Sequence, residues 1–180
     1  EIDEKVIEAS RRFFPQIAKG LDDERVEIQI TDGIRYVKEH IAKFDVIIVD
    51  STEPVGPAVG LFQKPFYENI FQALKKDGLM VAQTESPWFN RDLIRQVYRD
   101  INSVFPITRV YAANIPTYPS GLWTFTLASK KYDPLDVDEK KIPYRQTRYY
   151  HPRLHKAVFQ LPPFVLELLE VKEATDVKAE

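Results

Sequence analysis

The sequence predicts an α/β protein with a mostly parallel open sheet, helices on both faces and an antiparallel pair at one edge. Three observations predict it. Short apolar runs alternate with stretches of helical periodicity as far as Pro106. The run Phe44-Asp45-Val46-Ile47-Ile48-Val49 is broken only by Asp45, the pattern of a central strand buried on both faces. The last two apolar runs, 107–113 and 122–129, lie too close for a helix between them, so they should pair antiparallel.

In chain order, Glu1-Ile2-Asp3 reads as the end of a strand that runs straight into a helix. In that helix Val6, Ile7, Ser10, Phe13 and Phe14 recur at helical spacing, and Pro15 closes it. Residues 26–30 alternate and are rich in branched side chains, so they read as a strand. Asp32-Gly33 is a strand-to-helix turn, and Ile34, Val37 and Ile41 mark a short amphipathic helix. Residues 50–58, after the central run, form a loop punctuated by Pro54, Gly56 and Pro57. Helical spacing resumes from Phe66 to Leu74, with Lys75, Lys76 and Gly78 as end signals. A strand follows over 79–83, then a helix through Leu93, Val97, Ile101 and Val104. Residues 115–121 are a Pro- and Gly-bearing connector, 132–150 a charged surface excursion, and 155–169 a last helix or two. Residues 1–170 are read as one domain and 171–180 as a polar tail.

Composition narrows the function. A length of 180 residues suits one domain, and 44% hydrophobic with 29% charged residues is an ordinary globular balance. A formal charge of -2 gives no pull toward nucleic acid. Without cysteine, disulfides and thiolate metal sites are excluded, and a cytoplasmic location is expected. No apolar run approaches the ~20 residues of a membrane helix, so no membrane partner is expected. His151 and His155 are four apart but lack a carboxylate in the His-Glu-x-x-His manner, and no metal is expected. The opening lacks an initiator Met and begins as if in mid-unit, so the chain reads as starting inside its domain.

In an open α/β sheet, ligands lie beyond the carboxyl ends of the strands. The residues predicted there are Glu1, Asp32, Asp50 with Glu53, and Gln83 with Glu85. Such acidic and amide groups suit a cation and the hydroxyls of a ribose, whereas phosphates want Gly-rich amides or basic groups. Glu1 could accept from ribose hydroxyls or simply sit favourably near a helix start. Asp32 is equally suited to capping a helix. Asp50 and Glu53, three residues apart, could raise one pKa and hold a cation, or could cap a turn. In Ile115-Pro116-Thr117-Tyr118-Pro119-Ser120-Gly121 the prolines stiffen the backbone around Tyr118, which either presents its hydroxyl to an amine or packs on the core.

Together, Thr31-Asp32-Gly33, the stretch from Val49 to Ala58, Gln83-Thr84-Glu85-Ser86-Pro87-Trp88, the 115–121 loop and His155-Lys156-Ala157-Val158-Phe159-Gln160-Leu161-Pro162 resemble the spermidine synthases, the polyamine aminopropyltransferases. Leu122-Trp123 is similar to the bacterial branch. The resemblance implies a Rossmann-like fold of the class I methyltransferase kind. It also implies that an N-terminal β domain, a Gly-rich turn and the first strand lie outside these residues, leaving little activity in the piece itself and an apolar edge prone to self-association. The implied reaction moves an aminopropyl group from decarboxylated S-adenosylmethionine, a co-substrate rather than a resident cofactor, to a diamine, usually putrescine. By that resemblance Asp50 is the base, and Glu53, Glu85 and Tyr118 hold the diamine. Glu1 binds the ribose, Asp32 with Gly33 the adenine amino group, and Pro57 and Ala58 line the adenine. A homodimer or homotetramer is implied as well. A methyltransferase using S-adenosylmethionine, or a non-catalytic paralogue, is the alternative.

Overall fold

A computed structural model describes residues 1–169. The expected polar tail, 171–180, lies outside them. Helix α1 (Glu4–Phe13) starts where the Asp3 carboxylate accepts the Lys5 N–H, with Glu4 in its first turn and Arg11 and Arg12 in its last. Pro15 closes the first helix as predicted. The break falls at Phe14 (φ -128°, ψ 49°), and Pro15 opens a further turn, α2 (Pro15–Ala18). Proline is tolerated at a first helical position because no partner awaits its missing N–H.

Among the described residues the sheet has four strands in the order β1-β2-β4-β3. They are β1 (Phe44–Val49), β2 (Leu74–Gln83), β3 (Ile107–Asn114) and β4 (Leu122–Ser129). β1 runs parallel to β2, whereas β2 with β4 and β3 with β4 are antiparallel. The α/β class and the antiparallel pair at one edge therefore stand. The described sheet is mixed, however, with its parallel part confined to β1 and β2.

Other expectations change. Residues 26–30 do not form a strand. Besides a turn bond from Val26 N–H to Asp23 O at 2.9 Å, their neighbourhood holds Thr31 N–H to Glu1 O at 2.8 Å and the Glu1 amine to Gln29 O at 3.2 Å. That is too little for a ladder, and Glu1 accordingly ends no strand. β1 is an edge strand of the described sheet, not a central one. Its Ile47 and Val49 pack into the core, while Val46 and Ile48 remain 51% and 74% exposed. An apolar run reports the capacity for burial on both faces, not whether a layer covers each one. β2 begins at Leu74, so Lys75, Lys76 and Gly78 belong to it and do not end the preceding helix, α4 (Lys64–Ala73). The register breaks inside it: Leu74 lies opposite Phe44, and Leu79 opposite Val46. Lys75 pairs with Asp45 at 2.8 Å across this irregularity.

The core lies on one face of the sheet. Val37 of α3 (Gly33–Lys38), Phe66, Tyr67 and Ile70 of α4, and Val97 and Ile101 of α5 (Arg91–Val104) are buried in one cluster with Met80, Ala82 and Ala128. Ile41, expected on the α3 stripe, falls beyond the helix end and is exposed. A second cluster joins Ile94 and Val110 to Leu168 and Leu169, which follow the short helix α7 (Pro163–Leu166). On the opposite face Tyr111 stacks on Phe125 at 5.1 Å, and Phe159, just after α6 (Leu154–Ala157), meets Tyr111 at 5.5 Å. That face carries an open groove between its strands, because α3, α4 and α5 all pack on the first one. No helix of the described residues is long and apolar enough to cross a membrane.

Ile70 is fully buried and Ile41 is 77% exposed. Ile70→Ala should cost about 2–5 kcal/mol in urea unfolding, and Ile41→Ala within about 0.5 kcal/mol of nothing.

Candidate active site

The site begins with register. Val49 pairs with Ala82, so Asp50 and Gln83 emerge together at the carboxyl ends of β1 and β2. Gln83 Nε2 donates to the carbonyl of Ser51 at 3.1 Å, tying the loop after β1 to the end of β2. The antiparallel register puts Phe125 opposite Gln83 and Tyr111 opposite Phe125. Ile48, Asp50, Gln83, Tyr111, Tyr118 and Phe125 are among the residues lining the resulting cavity of about 470 Å³. Its walls are apolar and aromatic, and Asp50 supplies a carboxylate at one end, an arrangement suited to an alkyl chain ending in an amine.

The 115–121 connector is as stiff as its prolines predict. Ile115 N–H donates to Gly121 O at 2.7 Å, Tyr118 N–H to Ile115 O at 3.1 Å, and Gly121 N–H to Tyr118 O at 2.9 Å. Gly121 has φ +67°, a conformation that side chains rarely adopt. The Tyr118 ring stacks on Trp123 with centroids 4.2 Å apart and remains 39% exposed. Tyr118 thus packs on an aromatic and also lines the cavity.

Glu85 is the most constrained acid of the site. It is 2% exposed and has φ +74°, rare for a residue with a Cβ and costing about 1–2 kcal/mol. Thr124 holds it there: the Thr124 N–H and hydroxyl both donate to Glu85 O at 2.9 Å, and Thr84 N–H donates to Thr124 O at 2.9 Å. Burial, reinforced by the charge of Glu53, pushes the Glu85 carboxyl above its ordinary value, against a hydrogen bond from Gln83. The Glu53 charge thus acts on Glu85.

Of the predicted residues, Asp50, Gln83 and Tyr118 line the cavity; Glu53, Glu85, Glu1, Asp32, Gly33, Pro57 and Ala58 are outside its lining. Glu1 Oε1 accepts from the N–H groups of Ile2 (2.7 Å) and Asp3 (3.0 Å). The Asp3 bond leads in holding this exposed carboxyl below its ordinary value. Thr31 links Glu1 to Asp32, which caps α3 through the Ile34 N–H at 2.8 Å. Gly33 opens that helix, and a Cβ there would meet nothing within 4 Å. Pro57 and Ala58 lie in the 3-10 turn Gly56–Phe62. The sequence reading missed Tyr111, Phe125 and Trp123. Period-two alternation could have put Phe125 and Trp123 on one face of their strand, but only the register brings Tyr111 beside Phe125.

An α/β sheet with carboxylates at its strand ends and an apolar, aromatic cavity beside them is the arrangement of a small-molecule site in a Rossmann-like α/β fold. The comparisons with known proteins are more specific. A family model described as the spermine/spermidine synthase domain matches residues 1–141. The polyamine aminopropyltransferase of Caldicellulosiruptor saccharolyticus is 61% identical over 170 residues, covering 94% of this chain and 61% of the relative. That of Moorella thermoacetica is 57% identical over 173 residues, covering 96% and 61%. A crystal structure of spermidine synthase in complex with the transition-state analogue AdoDATO superposes with TM-score 0.90 at 44% identity, covering 94% of this chain and 59% of that one. The spermidine synthase of Thermotoga maritima gives 0.85 at 43% identity, covering 94% and 57%. The chain belongs to the spermine/spermidine synthase family. It spans about three fifths of the length of these curated relatives.

Because Glu85 binds its proton more tightly folded than unfolded, its contribution to stability is full below the ordinary glutamate value of 4.5 and is lost as pH rises through the elevated value. Glu85→Gln should therefore stabilise the chain at pH 7, with the gain shrinking toward pH 4 in urea titrations. A gain that is the same at both pH values would remove the buried charge as its cause.

Proposed function

We propose that the protein carrying this chain transfers an aminopropyl group from decarboxylated S-adenosylmethionine to putrescine, releasing methylthioadenosine and forming spermidine. The observation that carries this reading is that Asp50 and Tyr118 line one aromatic cavity at the ends of β1 and β2, in a chain of this family.

In chemical terms, a diamine near pKa ~10 arrives charged and has no lone pair until a proton leaves. Asp50 accepts that proton, and the freed nitrogen attacks the aminopropyl carbon next to sulfur. The new C–N bond forms as the C–S bond breaks, and the sulfonium leaves as a neutral thioether. The leaving group is already activated, so the remaining contribution is alignment. Tyr118 positions the attacking nitrogen with its hydroxyl and lines the alkyl chain with its ring. Glu53 and Glu85 attract the ammonium groups. An ammonium beside Glu85 would favour its ionised form and offset part of the cost of burying it. Glu1 takes the ribose hydroxyls, Asp32 with Gly33 the adenine amino group, and Pro57 and Ala58 flank the ring. The nucleoside donor is a co-substrate, and no resident cofactor enters the scheme. A cytoplasmic homodimer or homotetramer completes the reading.

Asp50→Asn keeps the shape of the side chain and removes the base, so turnover with decarboxylated S-adenosylmethionine and putrescine should fall by about 10²–10⁴-fold. Tyr118→Phe should mainly raise KM for the diamine. Near-normal turnover of the Asp50 variant would exclude Asp50 as the base.

A further inference from the structure

The loop that carries Glu85 and the loop that carries Tyr118 meet through two serine hydroxyls. Trp88 N–H donates to Ser86 Oγ at 3.3 Å, Ser86 Oγ donates to Ser120 Oγ at 2.9 Å, and Ser120 Oγ donates to Leu122 O at 2.9 Å. A hydroxyl has one proton, and each serine gives its proton once while accepting one bond. The chain therefore runs in one direction and leaves neither oxygen idle. Ser86 is fully buried, where a hydroxyl is retained only if it is paired. Ser120 stands two residues from Tyr118 inside the turn closed by Gly121 N–H to Tyr118 O. The Tyr118 ring lies on the Trp123 indole at an interplanar angle of 26°.

We infer that Ser86, Ser120 and Trp123 are positioning residues for Tyr118: the hydroxyl link sets how far the Tyr118 turn stands from the Glu85 loop, and the indole sets the tilt of the phenol. The consequence for catalysis rests on the function proposed above, in which Tyr118 and Glu85 act on the same diamine. The link itself does not rest on it. Breaking the link should loosen the diamine end of the site and leave the nucleoside end, around Glu1 and Asp32, unaltered.

These 180 residues contain two tryptophans, so in a chain of this length Trp88→Phe leaves Trp123 as the one indole and keeps an aromatic ring against Phe164. In that background, acrylamide quenching and the emission maximum of Trp123 report whether Tyr118 still covers it. Ser86→Ala and Ser120→Ala should each increase quenching and shift emission to the red. The double variant should go no further than the larger single change, because one link can be broken only once. Ser120→Thr, which restores the hydroxyl, should return the parent values. Ser120 is only partly buried, so its variants keep the test alive if Ser86→Ala fails to fold. Single variants indistinguishable from the parent, or an additive double variant, would overturn the link. In steady-state transfer by the full-length protein carrying this chain, the same variants should raise KM for putrescine about tenfold and leave KM for the nucleoside donor unchanged. Altered quenching with unaltered diamine KM would overturn the positioning role. If the full-length protein carrying this chain transfers no aminopropyl group at all, the proposed function fails, and the quenching cycle still decides the link.

Discussion

Strand β2 carries a ladder on each edge, parallel to β1 and antiparallel to β4, and the functional end of the molecule hangs on those two registers. Ala82 lies between Val49 and Thr126, which brings the chain exits at Asp50 and Gln83 to one level and sets Phe125 beside them. A slip of one residue would turn each side chain of β2 to the other face, sending Met80 and Ala82 out of the core and Val81 and Gln83 into it. The irregularity between Leu74 and Leu79 lies at the far end of the strand, where it disturbs the Lys75 region and not the site. Helices α3, α4 and α5 then secure the register by burying Met80, Ala82 and Ala128 on one face.

The other face is left for chemistry. Its floor, exposed at Ile48 and partly buried at Val81, Tyr111 and Phe125, gives a ligand apolar surface, and its polar groups converge from loops at the strand ends. Those loops are held by the sheet and not by their own contacts alone. Thr124 grips the Glu85 carbonyl with both its N–H and its hydroxyl, and that hydroxyl also meets Thr84. The arrangement keeps an acid buried and in left-handed backbone, two costs that a fold tolerates only where surrounding structure over-determines the residue. A cationic ligand is the kind of molecule that would lower the first of these costs, in keeping with a family of polyamine enzymes.

Much of the α/β frame could be read along the chain because its signals are local. Helical spacing in Leu93, Val97, Ile101 and Val104 and the stop at Pro106 match α5, and the closeness of 107–113 to 122–129 forced an antiparallel pair. The misreadings share one cause. Residues 26–30 have strand composition, yet a strand exists only with a partner, and two bonds to Glu1 do not make one. Lys75, Lys76 and Gly78 have the composition of a helix end, yet pairing across to Phe44 draws Leu74 and the residues after it into β2.

By itself the sequence determined the acidic character of the strand ends, the stiffness around Tyr118 and the family, because residue type, proline geometry and motif spacing are properties of neighbours in the chain. Only the tertiary structure decided that Asp50 shares a cavity with Tyr118, Tyr111 and Phe125, that Glu1 and Asp32 do not line it, and that burial raises the Glu85 carboxyl. These depend on sheet register and on which face the helices cover, and both are set by contacts between residues far apart in sequence.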